Sequence, residues 1–294
     1  MAANYNTVTS ELWRFAGRHR PSIEKSLQET LPLAPAFIET RFNEAVRYAV
    51  FPGGKRLRPV LTILGTELFG GRADDVLHAA AAVEFIHTSS IIFDDLPSMD
   101  NSPNRRGQSS LHAKFGEDLS ILVAVGLLNS SYRLVTSDRN NNPGRSLDAV
   151  LEIVDCVGPA GMVGGQAVDR MLSGTLECRT CAVDKFGQIQ NLKTSSLIRL
   201  ALRLGAIMAG AHNSDLENLT RFAECLGQAY QISDDIIDTN QDASLNGNGF
   251  APPSSDGLLH AVAQAKTMLT SSFDECDARE CLSQLVDYVA ERRS

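Results

Sequence analysis

An all-α fold is predicted by three features of the sequence. Apolar residues recur at three- and four-residue steps over 44–51, 57–69, 76–93, 118–135, 147–157, 196–211 and 216–239, the spacing that lines one face of a helix. Alanine and leucine, both strong helix formers, crowd these stretches. Alternating β-branched runs joined by Asn-Gly turns are almost absent.

Breakers set the helical stretches apart in order along the chain. Pro52-Gly53-Gly54 precedes 57–69 and Gly70-Gly71 follows it. The run 78–93 is apolar on more than one face, which places it in the middle of the protein. It ends directly in Asp94-Asp95, with Pro97 and Asn101-Ser102-Pro103 beyond. Residues 140–144 separate 118–135 from 147–157, and Gly158-Pro159 closes the latter. A long Asn/Gly/Pro/Ser stretch at 240–257 gives way to further helical sequence. With no internal repeat and no other linker, residues 1–294 read as one all-α domain, a helical bundle.

Bulk properties narrow the function. The 294 residues carry a net charge of −8 with no basic tail, a poor electrostatic match for nucleic acid. Of six cysteines, Cys178 and Cys181 form a lone CxxC without the second pair or histidines that a zinc site needs. The first residues lack the basic start and apolar run of a signal peptide. The longest apolar run, 121–128, falls short of the ~18 residues that span a bilayer. A reducing cytoplasmic setting without membrane spans is the expectation.

Carboxylates carry the chemistry. In DDIID, Asp234 and Asp238 are four apart and share a helix face, with Gln231 three residues before Asp234 and isoleucines around them. Paired carboxylates in an apolar setting repel one another and are desolvated, and a divalent cation relieves both costs. Oxygen ligands favour Mg2+ over zinc. A solvated acidic face is the competing reading. In DDLPSMD, Asp94 and Asp100 are six apart, on different faces of a continuous helix. Pro97 interrupts that helix, so the chain can turn and bring Asp100 back. Acid at a helix C-terminus has the wrong sign for the dipole, which weighs against a purely structural role. Cations stand near. Lys55 and Arg58, three apart after Gly53-Gly54, can hold a diphosphate with the backbone of the turn, or cap a helix as solvated charges. Arg105 and Arg106 follow the first acidic motif.

The blocks FPGGKRLRP, EFIHTSSIIFDDLPSMDNSPNRRG, GPAGMVGGQAVD, LKTSSLIRLALRLGAIMAG, LGQAYQISDDIID and the terminal LVDYVAERRS occur in this order. Together they resemble the trans-isoprenyl diphosphate synthases, the group of farnesyl and geranylgeranyl diphosphate synthases, from about residue 40 to 240 and again over the last helix. The resemblance implies an all-helical bundle around a deep cavity, usually homodimeric, with two facing aspartate motifs that bind Mg2+. By that resemblance Asp94, Asp95 and Asp100 form the first metal cluster. Asp234 is the direct ligand of the second, supported by Asp235 and Asp238. Arg105 and Lys193 contact the allylic diphosphate. Lys55, Arg58, His87 and Arg106 hold isopentenyl diphosphate, and Thr194, Gln231, Gln166 and Asp169 line the site. His87, two helical turns before Asp94, falls on the same face. The implied reaction ionises the allylic diphosphate, adds isopentenyl diphosphate to the carbocation and loses a proton to the released diphosphate, so no nucleophilic side chain is needed.

In that family a bulky aromatic four or five residues before the first aspartate stops the growing chain. Here those positions are Ser90 and Ser89, which implies a longer product, with geranylgeranyl diphosphate foremost. One departure is plain. The family continues past its second motif with a lysine-bearing loop, whereas no Lys or Arg stands here between Asp235 and Lys266. Val125 also occupies a position that is often acidic. Two alternatives follow: a terpene synthase that ionises a prenyl diphosphate without condensation, and a non-catalytic regulatory subunit.

Overall fold

The computed structural model describes residues 10–292 other than 36, 38–39, 52, 106, 138–141, 173–185 and 242–254, and the backbone alone of helical residues 40, 172, 186–193, 238–241 and 255. The first helix, α1 (Glu11–Thr30), places Glu11 in its first turn, where negative charge suits the dipole. Next come α2 (Thr40–Val50), α3 (Leu57–Glu67), a 3-10 turn at Ala73–Val76 and α4 (Leu77–Asp95). A two-residue antiparallel hairpin pairs Asn104–Arg105 with Gln108–Ser109. The chain continues through α5 (Leu111–Phe115), α6 (Glu117–Thr136), α7 (Pro143–Val157) and α8 (Met162–Leu172). It ends with α9 (Phe186–Ala209), α10 (Asn213–Gln241), α11 (Ser255–Ser272) and α12 (Asp277–Glu291). Helix α7 starts as its sequence dictates: Pro143 takes the first turn, and the Asn142 side chain accepts a hydrogen bond from the Arg145 amide at 3.2 Å.

The fold is all-α, and every helical stretch expected from periodicity is present. Helix α9 starts well before residue 196, at Phe186. Helix α1 escapes the periodicity because its apolar stripe is sparse and Pro21 lies inside it, where proline reads as a breaker.

Two helices form the centre. Helix α4 is buried almost without interruption from Ala79 to Ile86 and packs against α1, α3 and α6. Helix α9 packs against α3, α4, α7, α8 and α10. Where α3 and α9 cross, Gly65 and Gly205 let the backbones touch: a Cβ on Gly65 would stand 2.2 Å from the Leu202 carbonyl oxygen, and one on Gly205 2.0 Å from that of Thr62. Helices α4 and α6 are stitched by two hydroxyls. Ser89 Oγ donates to the Ala124 carbonyl at 2.9 Å, and Ser131 Oγ to that of Ala82 at 3.1 Å.

The expectation that nothing here is long and apolar enough to span a bilayer is corrected. Residues 73–95 and α6 meet that criterion by length and composition, because a helical window tolerates the scattered Ser, Thr and His that end an unbroken apolar run. Burial gives the reason for their composition. In the first, 67% of the apolar window is inside the fold; in α6 the figure is 44%. The outward side of α6 exposes Ile121, Leu122 and Val125, and the neighbouring α7 exposes Leu147, Leu151 and Val154.

A single arginine fixes the loop ahead of α3. Arg56 is 4% exposed and holds a left-handed backbone, φ 53°, a conformation that a bulky residue adopts only when its surroundings impose it. Its guanidinium donates to Glu24 at 2.9 and 3.1 Å, to Glu84 at 2.7 Å and to the Val50 carbonyl at 2.9 Å. The loop is thereby tied to α1, α2 and α4 together. Burial works against the charge, but the hydrogen bonds and charges of Glu24 and Glu84 outweigh it and hold the guanidinium firmly protonated. Gly53 makes room, since a Cβ there would meet the guanidinium carbon at 1.8 Å. Replacing Arg56 by methionine strands Glu84 as an unpaired buried charge. A loss of about 3–5 kcal/mol in urea-unfolding free energy is expected.

Candidate functional site

The first acidic motif is shaped by the end of α4. Leu96, which precedes Pro97, leaves the helix with ψ 150°, the extended conformation that a following proline enforces. The chain then folds back. The Asp100 amide donates to the Asp94 carbonyl at 2.9 Å, Asn101 to Leu96 at 3.0 Å and Ser102 to Asp95 at 3.2 Å. Asp100 is returned to the helix end, as the position of Pro97 predicts.

The two adjacent aspartates face different surroundings. Asp94 lines a largely apolar cavity of about 300 Å³ with Ser90, Phe93, Met99, Met162, Val163, Gln166, Ala167 and Arg170. Asp95 is 3% exposed. It accepts from Arg105 Nε at 3.0 Å and also from Arg105 Nη2. That hydrogen bond, joined by the charges of Asp95, Asp94 and Asp100, raises the guanidinium's proton affinity against the opposing effect of burial. Asp100 pairs with Arg170 Nη2 at 2.9 Å, and Arg170 Nη1 donates to the Met99 carbonyl at 2.6 Å. Arg170 was not anticipated; its signal is its place directly after Asp169 in the GGQAVD block. Within the same cavity Gln166 Oε1 is buried and accepts no hydrogen bond.

The basic residues divide into two places. Arg58 Nη1 lies 3.1 Å from His87 Nε2. His87 lines a smaller cavity of about 100 Å³ with Arg56, Asp95 and Arg105. Lys55 departs from the expected helical pairing with Arg58, because α3 begins only at Leu57. Its ammonium is instead held against α12, donating to the Tyr288 hydroxyl at 2.7 Å over the rings of Trp13 and Tyr288. Arg106 lies outside the described residues.

The second acidic motif lies on α10. Asp234 Oδ1 pairs with Arg292 Nη2 at 2.7 Å. Arg292 also donates to Ser233 Oγ at 2.8 Å and to the Tyr230 carbonyl at 2.6 Å, and stacks 3.7 Å over the Tyr230 ring. Gln231 reaches Asp235, at 2.9 Å, rather than Asp234. The side chains of Asp238 and Lys193 lie outside the described residues, their backbones being in α10 and α9. Thr194 is half-buried on α9. Val125, noted for its missing acid, belongs to the outward face of α6 and not to this site.

Among the described residues no three His, Cys, Asp or Glu side chains are gathered into a closed metal cage. The donors nevertheless suit Mg2+, which keeps several waters and binds through one or two carboxylates plus substrate phosphates. Asp94 offers a hard oxygen, and the unmatched acceptor of Gln166 in the same cavity suits a metal-bound water.

This constellation of acids, arginines and an apolar cavity in a helical bundle has close counterparts. Residues 39–272 match the polyprenyl synthetase family. The chain is 34% identical over 269 residues to geranylgeranyl pyrophosphate synthase 7, chloroplastic, of Arabidopsis thaliana, covering 86% of this chain and 77% of that one. It is 38% identical to heterodimeric geranylgeranyl pyrophosphate synthase large subunit 1, chloroplastic, of the same plant, covering 74% of this chain and 59% of that one. An FPP/GFPP synthase from Zymomonas mobilis superposes with a TM-score of 0.82 at 28% identity, covering 95% and 98% of the two chains. The fold and site define an isoprenoid-diphosphate class of protein. The chain belongs to the polyprenyl synthetase family, a trans-isoprenyl diphosphate synthase family.

Arg105, 42% exposed on its side chain while bonded to Asp95, has donors to share with a phosphate. Arg105→Gln should weaken inorganic pyrophosphate binding in the presence of Mg2+ by about tenfold or more, the value of a charge-assisted hydrogen bond. Isothermal titration calorimetry measures it.

Proposed function

We propose that this chain, acting as one domain over residues 1–294, is a Mg2+-dependent prenyltransferase. It condenses isopentenyl diphosphate with an allylic prenyl diphosphate to a linear trans product, geranylgeranyl diphosphate foremost. The observation that carries this reading is the turn at Pro97, which returns Asp100 to Asp94 at an apolar cavity with Arg105 and Arg170 alongside. The geranylgeranyl pyrophosphate synthases among its relatives support it.

Magnesium, when bound, neutralises the diphosphate leaving group as a Lewis acid. Asp94, Asp95 and Asp100 of the first motif and Asp234, Asp235 and Asp238 of the second would hold it; Asp95, Asp100 and Asp234 each carry an arginine partner that the metal would have to share or displace. Arg105 and Lys193 orient the allylic diphosphate. Arg58 and His87, already in contact, bind isopentenyl diphosphate with Lys55 and Arg106. Thr194, Gln231, Gln166 and Asp169 line the site. The apolar wall of Phe93, Met99, Met162 and Val163 keeps water from the allylic cation. The setting is a reducing compartment, in keeping with free thiols at Cys156, Cys225, Cys276 and Cys281. The cytoplasm is our reading, and the plastid is the one that the names of the plant relatives carry.

Product length follows from the wall of the same cavity. Ser90 lines it, whereas Ser89 is turned to α6 and bound at the Ala124 carbonyl. Purified protein given Mg2+, isopentenyl diphosphate and each allylic primer in turn should yield geranylgeranyl diphosphate by mass spectrometry, and Ser90→Tyr should yield shorter chains. Products formed without isopentenyl diphosphate, or none under any condition, would overturn the condensation reading.

The apolar side chains exposed on α6 and α7 support a homodimer. Ile121, Leu122 and Val125 are exposed on one helix and Leu147, Leu151 and Val154 on its neighbour, the kind of apolar face that a partner covers. Light scattering should give a dimeric mass for the wild type and a monomeric one for the double variant Leu122→Glu, Leu151→Glu; a wild-type monomer overturns the dimer.

A further inference from the structure

The last turn of α12 touches both halves of the site. Tyr288 and Arg292 are four residues apart and joined by the final helical hydrogen bond, from the Arg292 amide to the Tyr288 carbonyl at 3.0 Å. Tyr288 receives the Lys55 ammonium at 2.7 Å. Arg292 Nη2 lies on Asp234 at 2.7 Å and also donates to the Tyr230 carbonyl, while Nε donates to Ser233 Oγ, so the side chain is anchored on α10. The first aspartate of the second motif is therefore engaged by an arginine from the far end of the chain. The stretch after that motif carries no Lys or Arg up to Lys266, and Lys266 itself is paired with Asp287.

We propose that Arg292 is the resident counter-ion of Asp234, that a divalent cation must displace it, and that its release shifts the α12 turn and with it the hold of Tyr288 on Lys55. The proposal rests on the reading of Asp234 as a metal ligand. The physics is competition: a guanidinium and a metal ion cannot both occupy one carboxylate oxygen at contact distance. The Arg292 side chain is 11% exposed and that of Asp234 45%, so the pair is open enough to exchange yet closed enough to hold. Once released, the guanidinium stays near the site through the Tyr230 ring, 3.7 Å away, where it can face a phosphate in place of the absent lysines.

The protein contains its own reporter. Trp13 is the single tryptophan, edge-on to Tyr288 at 5.2 Å and 84°, with the Lys55 ammonium 5.4 Å from its ring centre. Any movement of the α12 turn changes what surrounds that indole.

The test uses the full chain without substrate. Mn2+ binding is measured by electron paramagnetic resonance for wild type, Arg292→Gln and Arg292→Lys, and Mg2+ is titrated while Trp13 emission is read. Circular dichroism melts verify the fold of each. Arg292→Gln should bind Mn2+ about two- to fivefold more tightly, the range of a partly exposed ion pair, with Arg292→Lys in between. Mg2+ should change Trp13 emission in the wild type, and Arg292→Gln should show the changed emission before any metal is added. Equal or weaker Mn2+ binding by a folded Arg292→Gln, or wild-type emission indifferent to Mg2+, overturns the proposal alone. Mn2+ binding by none of the three overturns the metal site and this proposal together, and product assays then show whether condensation survives that loss.

Discussion

The arrangement depends on the buried contact between Arg56 and the two glutamates, Glu24 and Glu84. A guanidinium at 4% exposure is tolerated only because its donors meet carboxylates and a carbonyl. Those partners sit on α1, α2 and α4, so the bond decides where three helices stand relative to the loop ahead of α3. Lys55 and Arg58 flank Arg56 in sequence and leave the loop in different directions, one towards α12 and the other towards α4. A structural arginine thus sets the aim of the two cations beside it. It also explains a left-handed backbone at a residue without a glycine's freedom.

The same logic recurs at the acids. Asp95, Asp100 and Asp234 each have an arginine partner, from the hairpin, from α8 and from beyond α12. Carboxylates clustered within a short motif would repel one another in the absence of cations. The arginines offset that repulsion without closing the motifs. Each pair has a half-exposed member, so its charge is available for exchange rather than locked away. The buried cluster at Glu152 is the contrast: it sits 4% exposed between Arg199 and Arg203. Burial alone would raise its proton affinity, but the Arg203 hydrogen bond and charge lead in lowering it. That cluster braces α7 against α9.

Much of this was legible in the sequence because it rests on local rules. The all-α class followed from periodicity, the return of Asp100 from a single proline, and the neighbourhood of Arg58 and His87 from the order of the blocks. Residues whose partners are distant in the chain were not legible. Arg56, in the quoted GGKRLRP block, gave no sign that it would be the buried member, because Glu24 and Glu84 reach it only once α1 and α4 have packed. Arg170 and Arg292 were ordinary surface-type residues until the fold set them against Asp100 and Asp234. Ser89 and Ser90, equivalent by composition, were separated only by which helix each one faces. That Val125, which stands where the family often has an acid, lies on the exposed side of α6 could not be seen without the neighbouring helices.

The hydroxyl stitches between α4 and α6 have a consequence for how such a cavity can be resized. Ser89 and Ser131 fix the spacing of the two helices through backbone carbonyls, so added volume at position 89 has no slack to occupy. It must be transmitted as a displacement of α6, whose other side is the exposed row of Ile121, Leu122 and Val125. Position 90 adjusts the chamber privately, whereas position 89 adjusts it in public, at the outer surface. Volume can be added at one serine without reaching the outer surface, and at its neighbour only by moving whatever rests against the far side of the wall.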